Sequence, residues 1–426
     1  MVKDVKSLAR KVLSGKVLQV VEDEYRLARA SYANARYNFP AKGMRVIMIT
    51  GTNGKTTTAH FLFSILRRAG YSVGLSSTAE FRINERVEVN DTNMTVLDPV
   101  KLRHQLASFK QAGVDFVILE ATSQALDQHR LFGIPCEVAI MTNLTQDHLD
   151  YHKTMEKYAA AKAKLWQLKP KISVLNLDDE WFDYYKKRAT GKVFTYGLYK
   201  ANVSVSGYKV VKGVAQFTLG LSDGRSVVTL GLPGKYNAYN AAAAATAAQA
   251  LGVKGEVIEQ GIESLKTLSG RLQEVSTNKP YKVVVDYAHT PDGLRKVLLA
   301  VRELCSGDVW LVFGACGDRD KGKRPQMGEI AAHLADKIIV TDEESYSEDP
   351  AEIRAAVIKG INSVKGASKK LTEISDRKAA IKHALKNAKK GDLILITGLG
   401  HEQFRIENGK KIPWNDAEVV KKLSLV

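Results

Sequence analysis

Cysteine is scarce in this sequence. Cys136, Cys305 and Cys316 are scattered over 426 residues with no CxxC spacing, too few for a disulfide framework in a chain of this size, so a reducing, cytoplasmic setting is expected. Long apolar runs are missing from the start as well. The opening stretch MVKDVKSLARKVLSGKVLQVVEDEYRLARA carries charges throughout and never supplies the uninterrupted apolar segment of a signal peptide or membrane span, so neither export nor a span is expected. Nor are the basic residues gathered. The formal charge is +17, yet there is no arginine-rich tail and no basic run interleaved with aromatics, so nucleic acid is not the expected partner. A phosphorylated small substrate accounts for the excess of cations equally well.

What is present is an ordinary globular composition, 45% apolar and 26% charged, in a chain long enough for roughly two or three domains. Residues 1–40 read as one or two amphipathic helices ending near NFP. Short apolar runs then alternate with helical patterns: RVIMIT, a helix from Thr56, DFVILE, VAIMTNL, a helix around 154–168, and ISVLNLDD. Apolar strands joined by helices imply a parallel sheet covered on both faces. From about 192 to 232 the texture becomes alternating, as antiparallel hairpins would be, and reads as a β-rich elaboration of the same domain. NAYNAAAAATAAQALG is a helix by propensity, stopped at Gly252. After LSGRLQEV a second alternation, KVVVDYA, DVWLVFGA, KIIVTD and DLILITG, predicts a second doubly wound unit, with ligand in the cleft between the two. The expected division is a short helical segment over 1–43, a central domain over 44–268 and a C-terminal domain over 269–426.

The stretch ITGTNGKTTT sits where the first strand gives way to a helix. Glycines let such a loop curl so that backbone N–H groups point at an anion, and the helix adds its positive end. Gly51 and Gly54 supply that freedom, Lys55 reaches the β- and γ-phosphates, and the Thr56 hydroxyl suits Mg²⁺. The common GxxxxGK[ST] pattern would need glycine at position 49, where this chain has Ile49, so the match is to the shorter GTNGKT. The plainer alternative is a glycine-containing turn with an incidental lysine. Glu120 ends the strand DFVILE at the carboxyl edge where ligands bind in open α/β sheets, either as a carboxylate for Mg²⁺ or as a solvated strand-end acid. Lys162, if MEKYAAAKAKLW is helical, shares a face with Tyr158, Leu165 and Trp166. A lysine there loses solvation and tends toward the neutral amine that reacts with CO₂. From the residues alone a snorkelling lysine is the more ordinary outcome.

GTNGKTTT, LEATSQALDQHR, TNLTQDHLDYHKTMEKYAAAKAKLW, VLNLDD, LPGKYNAYNAAAA, DYAHTPDGL, FGACGDRDKGKRPQMG and GLGHE occur in an order that resembles the Mur ligase family. Within it the resemblance is to the branch that adds the third amino acid of the peptidoglycan stem, and it covers about 35 to 417. The resemblance implies a P-loop-type central ATPase domain with a parallel sheet, followed by a Rossmann-like C-terminal domain that receives the amino acid. It implies an ADP-forming ligase that activates a carboxylate with ATP and lets an amine attack the acyl phosphate. Gly51, Thr52, Asn53, Gly54, Lys55, Thr56 and Thr57 then cradle ATP, with Asn176, Asn240, Arg271 and Asp286 as further nucleotide contacts. Glu120 and His148 join Thr56 as magnesium ligands, Lys162 is the carbamylated lysine (N6-carboxylysine), and His152 is structural. Lys55, Lys162, His148 and Glu120 are the implied catalytic set. Ser123, Gln124 and Arg130 hold a UDP-muramoyl-peptide-like acceptor, Gln124 standing where the family often has histidine.

Gly398, Glu402, Glu343 and Glu344 fall where the family binds the incoming amino acid. Members that take meso-diaminopimelate carry Asp-Asn-Pro-Arg, whose arginine grips the distal carboxylate. Here Glu343-Glu344-Ser345-Tyr346 stands instead, so a diamino acid with a carboxylate-free cationic end, such as L-lysine or L-ornithine, is expected. Only about 45 residues precede the phosphate loop, too few for the family's sugar-nucleotide domain. Either the nucleotide-sugar is held differently or the acceptor is another carboxylic acid. Two further readings remain open: a ligase like folylpolyglutamate synthetase, and a non-catalytic binding module on the same fold. A monomer is expected.

Overall fold

In the computed structural model, which describes residues 15–407 and 409–425, the apolar runs become strands buried on both faces. Ile47 and Ile49 of strand Arg45–Thr50 enter one core, Val46 and Met48 the other. A central parallel strand must do this, because side chains alternate in direction and helices cover both sides. The full sheet has eleven strands in the order Gly224–Leu230, Val214–Leu221, Val203–Val211, Lys192–Gly197, Ile172–Asn176, Val138–Met141, Arg45–Thr50, Phe116–Glu120, Val73–Ser76, Glu80–Ile83 and Arg86–Val89. The alternating segments expected as hairpins are the antiparallel strands at one end, continuous with the parallel sheet. Helices Lys55–Arg68, Lys235–Ala250 and Gly255–Ser264 contribute side chains to the first core, and helix Pro99–Gln111 to the second. The alanine-rich helix owes its place to small side chains: Ala241 to Ala245 are fully buried, which lets its backbone lie close to its neighbours.

The predicted helix ahead of the phosphate loop runs Gly15–Arg36; the part of that expectation before residue 15 lies outside the described residues. It packs on helix Pro99–Gln111, where Arg103 is fully buried and donates to Asn34 Oδ1 at 2.8 Å and to the carbonyls of Arg130 and Phe132. The helix expected around 154–168 is α-helical only over Met155–Ala163, and Lys164–Leu168 tightens into a 3₁₀ turn.

The second sheet carries six strands in the order Gln273–Glu274, Lys282–Asp286, Leu393–Thr397, Val309–Phe313, Lys337–Val340 and Leu371–Glu373, all parallel but the first. Phe404–Glu407 and Lys410–Pro413 form a separate hairpin. Behind this sheet Arg377 and Asp416, both without solvent exposure, make a bidentate pair at 2.9 and 2.7 Å that ties helix Arg377–Asn387 to helix Asp416–Ser424. The expected α/β class holds, with two sheets whose strand ends face one cleft.

Candidate active site

The phosphate loop is shaped by crowding. Gly51 and Gly54 have φ of +147° and +87°, and a Cβ would collide with Thr142 Oγ1 at the first and with Asn240 Oδ1 at the second. The loop is pinned from the next strand end: Thr52 N–H donates to Asn143 O at 2.9 Å and Asn53 N–H to Asn143 Oδ1 at 3.0 Å. Helix Lys55–Arg68 starts with no side-chain cap. The N–H groups of its first three residues, which have no intrahelical partner in any α-helix, are thus left uncapped by a side chain, and Lys55, Thr56 and Thr57 line the cavity, an arrangement that favours an anion. Lys55 Nζ donates to the Gly51 and Thr52 carbonyls, each at 2.9 Å. Burial lowers its pKa, with Glu120 and Asp147 opposing.

Beneath the loop lies Lys162. Its Nζ, 1% exposed as a residue, donates to Gly51 O at 2.8 Å and stands 4.5 Å from the Tyr158 ring centroid. Burial lowers its pKa well below the ordinary lysine value, and Lys55 adds to that shift. Of the face that spacing predicted, Tyr158 shares the α-helix with Lys162, whereas Leu165 and Trp166 lie in the 3₁₀ turn that follows it.

The cavity beside the loop, about 350 Å³, is lined from both domains. Thr52 to Thr57, Glu120, Gln124, Arg130, His148, Asn240, Arg271, Asp286, Glu343, Glu344, Gly398 and Glu402 share its wall. Ser123, Asn176 and Lys162 are not among its lining residues. Ser123 Oγ bonds to His152 Nε2 at 2.9 Å, and Asn176 donates to Thr142 O at 3.0 Å while accepting from Asp178 N–H at 3.1 Å. Asp286 lines the cavity, yet its two oxygens accept from Leu272 and Ala288 N–H groups, at 2.7 and 2.8 Å, so it shapes the interdomain turn. A second depression, about 500 Å³ around Glu274, Lys279 and Asp392, holds none of these residues.

Contacts cross the cleft at several points. Asn53 Nδ2 donates to Asp292 Oδ2 at 2.8 Å, Arg271 Nη2 to Thr56 Oγ1 at 3.2 Å, and His401 Nε2 lies 3.0 Å from Thr78 O. Sequence reasoning missed the group at their centre. Asp147 Oδ1 is 3.6 Å from Lys323 Nζ, and its Oδ2 is 3.4 Å from His148 Nε2 and 4.0 Å from His289 Nε2. Burial works against ionisation there, but His148, Lys323 and His289 outweigh it and hold the carboxyl well below the usual range. The available signal was position: Asp147 follows a strand end, and Lys323, the first residue of helix Lys323–Leu334, closes the charged stretch DRDKGK after VWLVFGA.

A magnesium ion would find oxygen donors on this wall. Glu120 accepts from Thr78 N–H at 2.7 Å and Thr78 Oγ1 at 2.9 Å, which leaves lone pairs on its carboxylate. The Thr56 hydroxyl shares the cavity. No three His, Cys, Asp or Glu side chains among the described residues converge as an all-protein cage. Mg²⁺ binds through one or two carboxylates and the phosphates of its substrate, and Glu120 is a carboxylate of this wall. His148, a nitrogen donor whose pKa burial lowers, sits beside them.

At the far end Glu343 packs against Gly398, whose φ of +111° and missing side chain leave room for the carboxylate. Glu344 accepts from Tyr346 Oη at 3.2 Å and Ile406 N–H at 3.1 Å. Burial pushes the Glu343 and Glu402 carboxyls up to about 7, with Glu344 adding to both.

Residues 49–248 match the family model of the Mur ligase middle domain, and residues 270–400 that of the Mur ligase, glutamate ligase domain. The UDP-N-acetylmuramoyl-L-alanyl-D-glutamate--2,6-diaminopimelate ligase of Caldanaerobacter subterraneus subsp. tengcongensis is 38% identical over 96% of this chain and 83% of its own length. A solved structure of a ligase of that name aligns with a TM-score of 0.63 and 33% identity, covering 93% of this chain and 82% of the other. The folylpolyglutamate synthase of Mycobacterium tuberculosis, solved with ADP and AMPPCP, has a TM-score of 0.69 at 18% identity over 87% of this chain and 92% of its own, a likeness of fold alone.

Proposed function

The chain belongs to the Mur ligase family, and from that premise we propose that it is an ADP-forming carboxylate–amine ligase of peptidoglycan precursor synthesis. It joins an amino acid to a UDP-N-acetylmuramoyl-dipeptide-like acceptor. The observation that carries this reading is one cavity with a phosphate loop at one end and a carboxylate-lined pocket from the second domain at the other. A carboxylate held between them reaches a triphosphate on one side and an amine on the other.

The acceptor carboxylate attacks the γ-phosphorus, the bond to the bridging oxygen breaks, and ADP leaves. The amine then attacks the acyl carbon, a proton is lost from nitrogen, and inorganic phosphate departs. Lys55 and the N–H groups of the first helical turn face the charge that spreads over the transferring oxygens. Glu120 and Thr56, with His148 adjacent, would hold Mg²⁺, which neutralises triphosphate charge. Lys162 carries a carbamate, whose formation its buried, proton-poor amine supports. Asn240, pressed against Gly54, and Arg271, stacked 4.6 Å from the Tyr287 ring centroid, flank the nucleotide. Gln124 and Arg130 meet the acceptor; Ser123 orients His152, and Asn176 braces the strand end from behind. Contacts between the domains exclude water that would hydrolyse the acyl phosphate.

No helix among the described residues is long and apolar enough to cross a membrane. The test is mass spectrometry of the product formed from ATP, Mg²⁺, UDP-muramoyl-dipeptide and a panel of amino acids, with folates as control acceptors. ADP accompanied by a new amide on the muramoyl acceptor is expected. Absence of both, or amide formation on folates alone, refutes the reading.

A further inference from the structure

The carboxylate that would hold a metal is gripped by one residue. Glu120, 1% exposed, accepts from Thr78 N–H at 2.7 Å and from Thr78 Oγ1 at 2.9 Å, one bond to each oxygen. Two donors from a single residue fix both the place and the plane of a carboxylate. Thr78 lies in the turn between strands Val73–Ser76 and Glu80–Ile83. That turn is itself held, since Ser77 N–H donates to Glu80 O at 3.0 Å and Asn90 Nδ2 to Ser77 O at 2.9 Å. From the other side of the cleft His401 Nε2 meets the Thr78 carbonyl at 3.0 Å. A carbonyl only accepts, so Nε2 carries the proton. Burial, with Arg271 adding, pushes the His401 pKa down to about 3, so the ring is neutral. Its Nδ1 is buried with no partner among the described residues, which leaves Nε2 as the end of the ring that does the holding.

His401 is fixed on its own side as well. Gly270, with φ of +64°, lies so close that a Cβ would collide with His401 N. The imidazole packs on the Tyr287 ring, 5.0 Å between centroids, and the Arg271 guanidinium lies 4.6 Å from that same Tyr287 centroid. Arg271 Nη2 then reaches Thr56 Oγ1 at 3.2 Å. The second domain thus presents one stack with two working ends. Arg271 touches the Thr56 hydroxyl directly, and His401 touches the residue that grips Glu120. We propose that Thr78 and His401 are positioning residues: Thr78 aims the Glu120 carboxylate, and His401 steadies Thr78 from the docked second domain, so the contact that closes the cleft also sets the carboxylate for a divalent cation. This rests on the ligase reading above and adds to it two residues that act through Glu120.

The experiment titrates Mn²⁺, a paramagnetic stand-in for Mg²⁺, into the full chain loaded with ADP, and reads free Mn²⁺ by electron paramagnetic resonance against ADP alone, so no turnover is needed. Thr78→Val removes the hydroxyl bond to Glu120. His401→Phe keeps a ring on Tyr287 and removes the donor to Thr78. Each should weaken Mn²⁺ binding by about tenfold. Thr78→Ser and His401→Gln, which restore a hydroxyl and an N–H, should each recover most of that loss. Circular dichroism checks folding, and His401→Leu replaces His401→Phe if the latter does not fold. Mn²⁺ binding within about twofold of the parent in either donor-lacking variant, or a loss no smaller in the conservative ones, overturns this inference and leaves the ligase reading standing. A parent that takes up no Mn²⁺ overturns it as well. Only absence of amide product from the parent, in the assay of the preceding subsection, sinks the ligase reading.

Discussion

Glu343→Gln should make the protein more stable, by an amount that depends on pH. The Glu343 carboxyl is pushed from 4.5 up to about 7 by burial in the folded protein. A group whose folded pKa is raised stabilises below its unfolded pKa, and that contribution is lost as pH rises through the folded value. At pH 8 the side chain is ionised in both states, and the full shift corresponds to about 3 kcal/mol against folding. At pH 5 the unfolded chain is mostly ionised while the folded site is protonated, and the loss is only about 1 kcal/mol. Glutamine keeps the shape and never ionises, so the variant should gain about 1 kcal/mol at pH 5 and about 3 kcal/mol at pH 8. For a folding unit of roughly 150 residues, each kcal/mol moves the melting temperature by about 2–4 °C, so the pH 8 transition should rise by about 6–12 °C. Differential scanning calorimetry at both pH values, without amino acid, measures it. A Glu343→Gln variant that melts at or below the parent temperature at pH 8, or whose advantage does not grow from pH 5 to pH 8, refutes the reasoning.

Lys55→Met should lower kcat for ADP release by about 10³-fold with the melting temperature unchanged, since a cation facing the transferring oxygens is lost; a steady-state assay showing less than tenfold loss removes Lys55 from that role. Lys162→Gln should abolish incorporation of ¹³C-bicarbonate as a carbamate carbon signal and cost about 10²–10³ in kcat; an unchanged NMR signal would mean that another amine carries the CO₂. Asp416→Asn leaves the Arg377 guanidinium buried beside a neutral partner, and chemical denaturation should report a loss of about 3–5 kcal/mol. A change under 1 kcal/mol would show that the pair contributes little.

The central strands were legible because burial on both faces demands apolar runs, and RVIMIT and FVILE have them. Glu80–Ile83 and Arg86–Val89 were not, since partial exposure at the sheet edge lets charge into every turn of the alternation. The same holds for the hairpin from Phe404 to Pro413, with its lysines and arginine, and for Leu371–Glu373, too short to show a period. At the site, spacing pointed to the Tyr158 face for Lys162 but favoured a snorkelling side chain, since the burial of its amine depends on the phosphate loop it meets at Gly51. Spacing was not enough for Asp147, whose partners Lys323 and His289 arrive from the other domain. Nor did it show that Asn176 and Asp286, both at strand ends, would direct their polar atoms at nearby backbone.

One amide side chain joins two events that are usually treated apart. Asn53 belongs to the loop that meets the triphosphate, and its Nδ2 holds Asp292 on the opposite side of the cleft. Thermodynamic linkage then runs both ways: a nucleotide that orders the loop favours docking of the second domain, and docking favours the nucleotide by the same factor. Each ligand should therefore bind more tightly in the presence of the other, ATP tightening the hold on the amine and the amine the hold on ATP, whichever is added first.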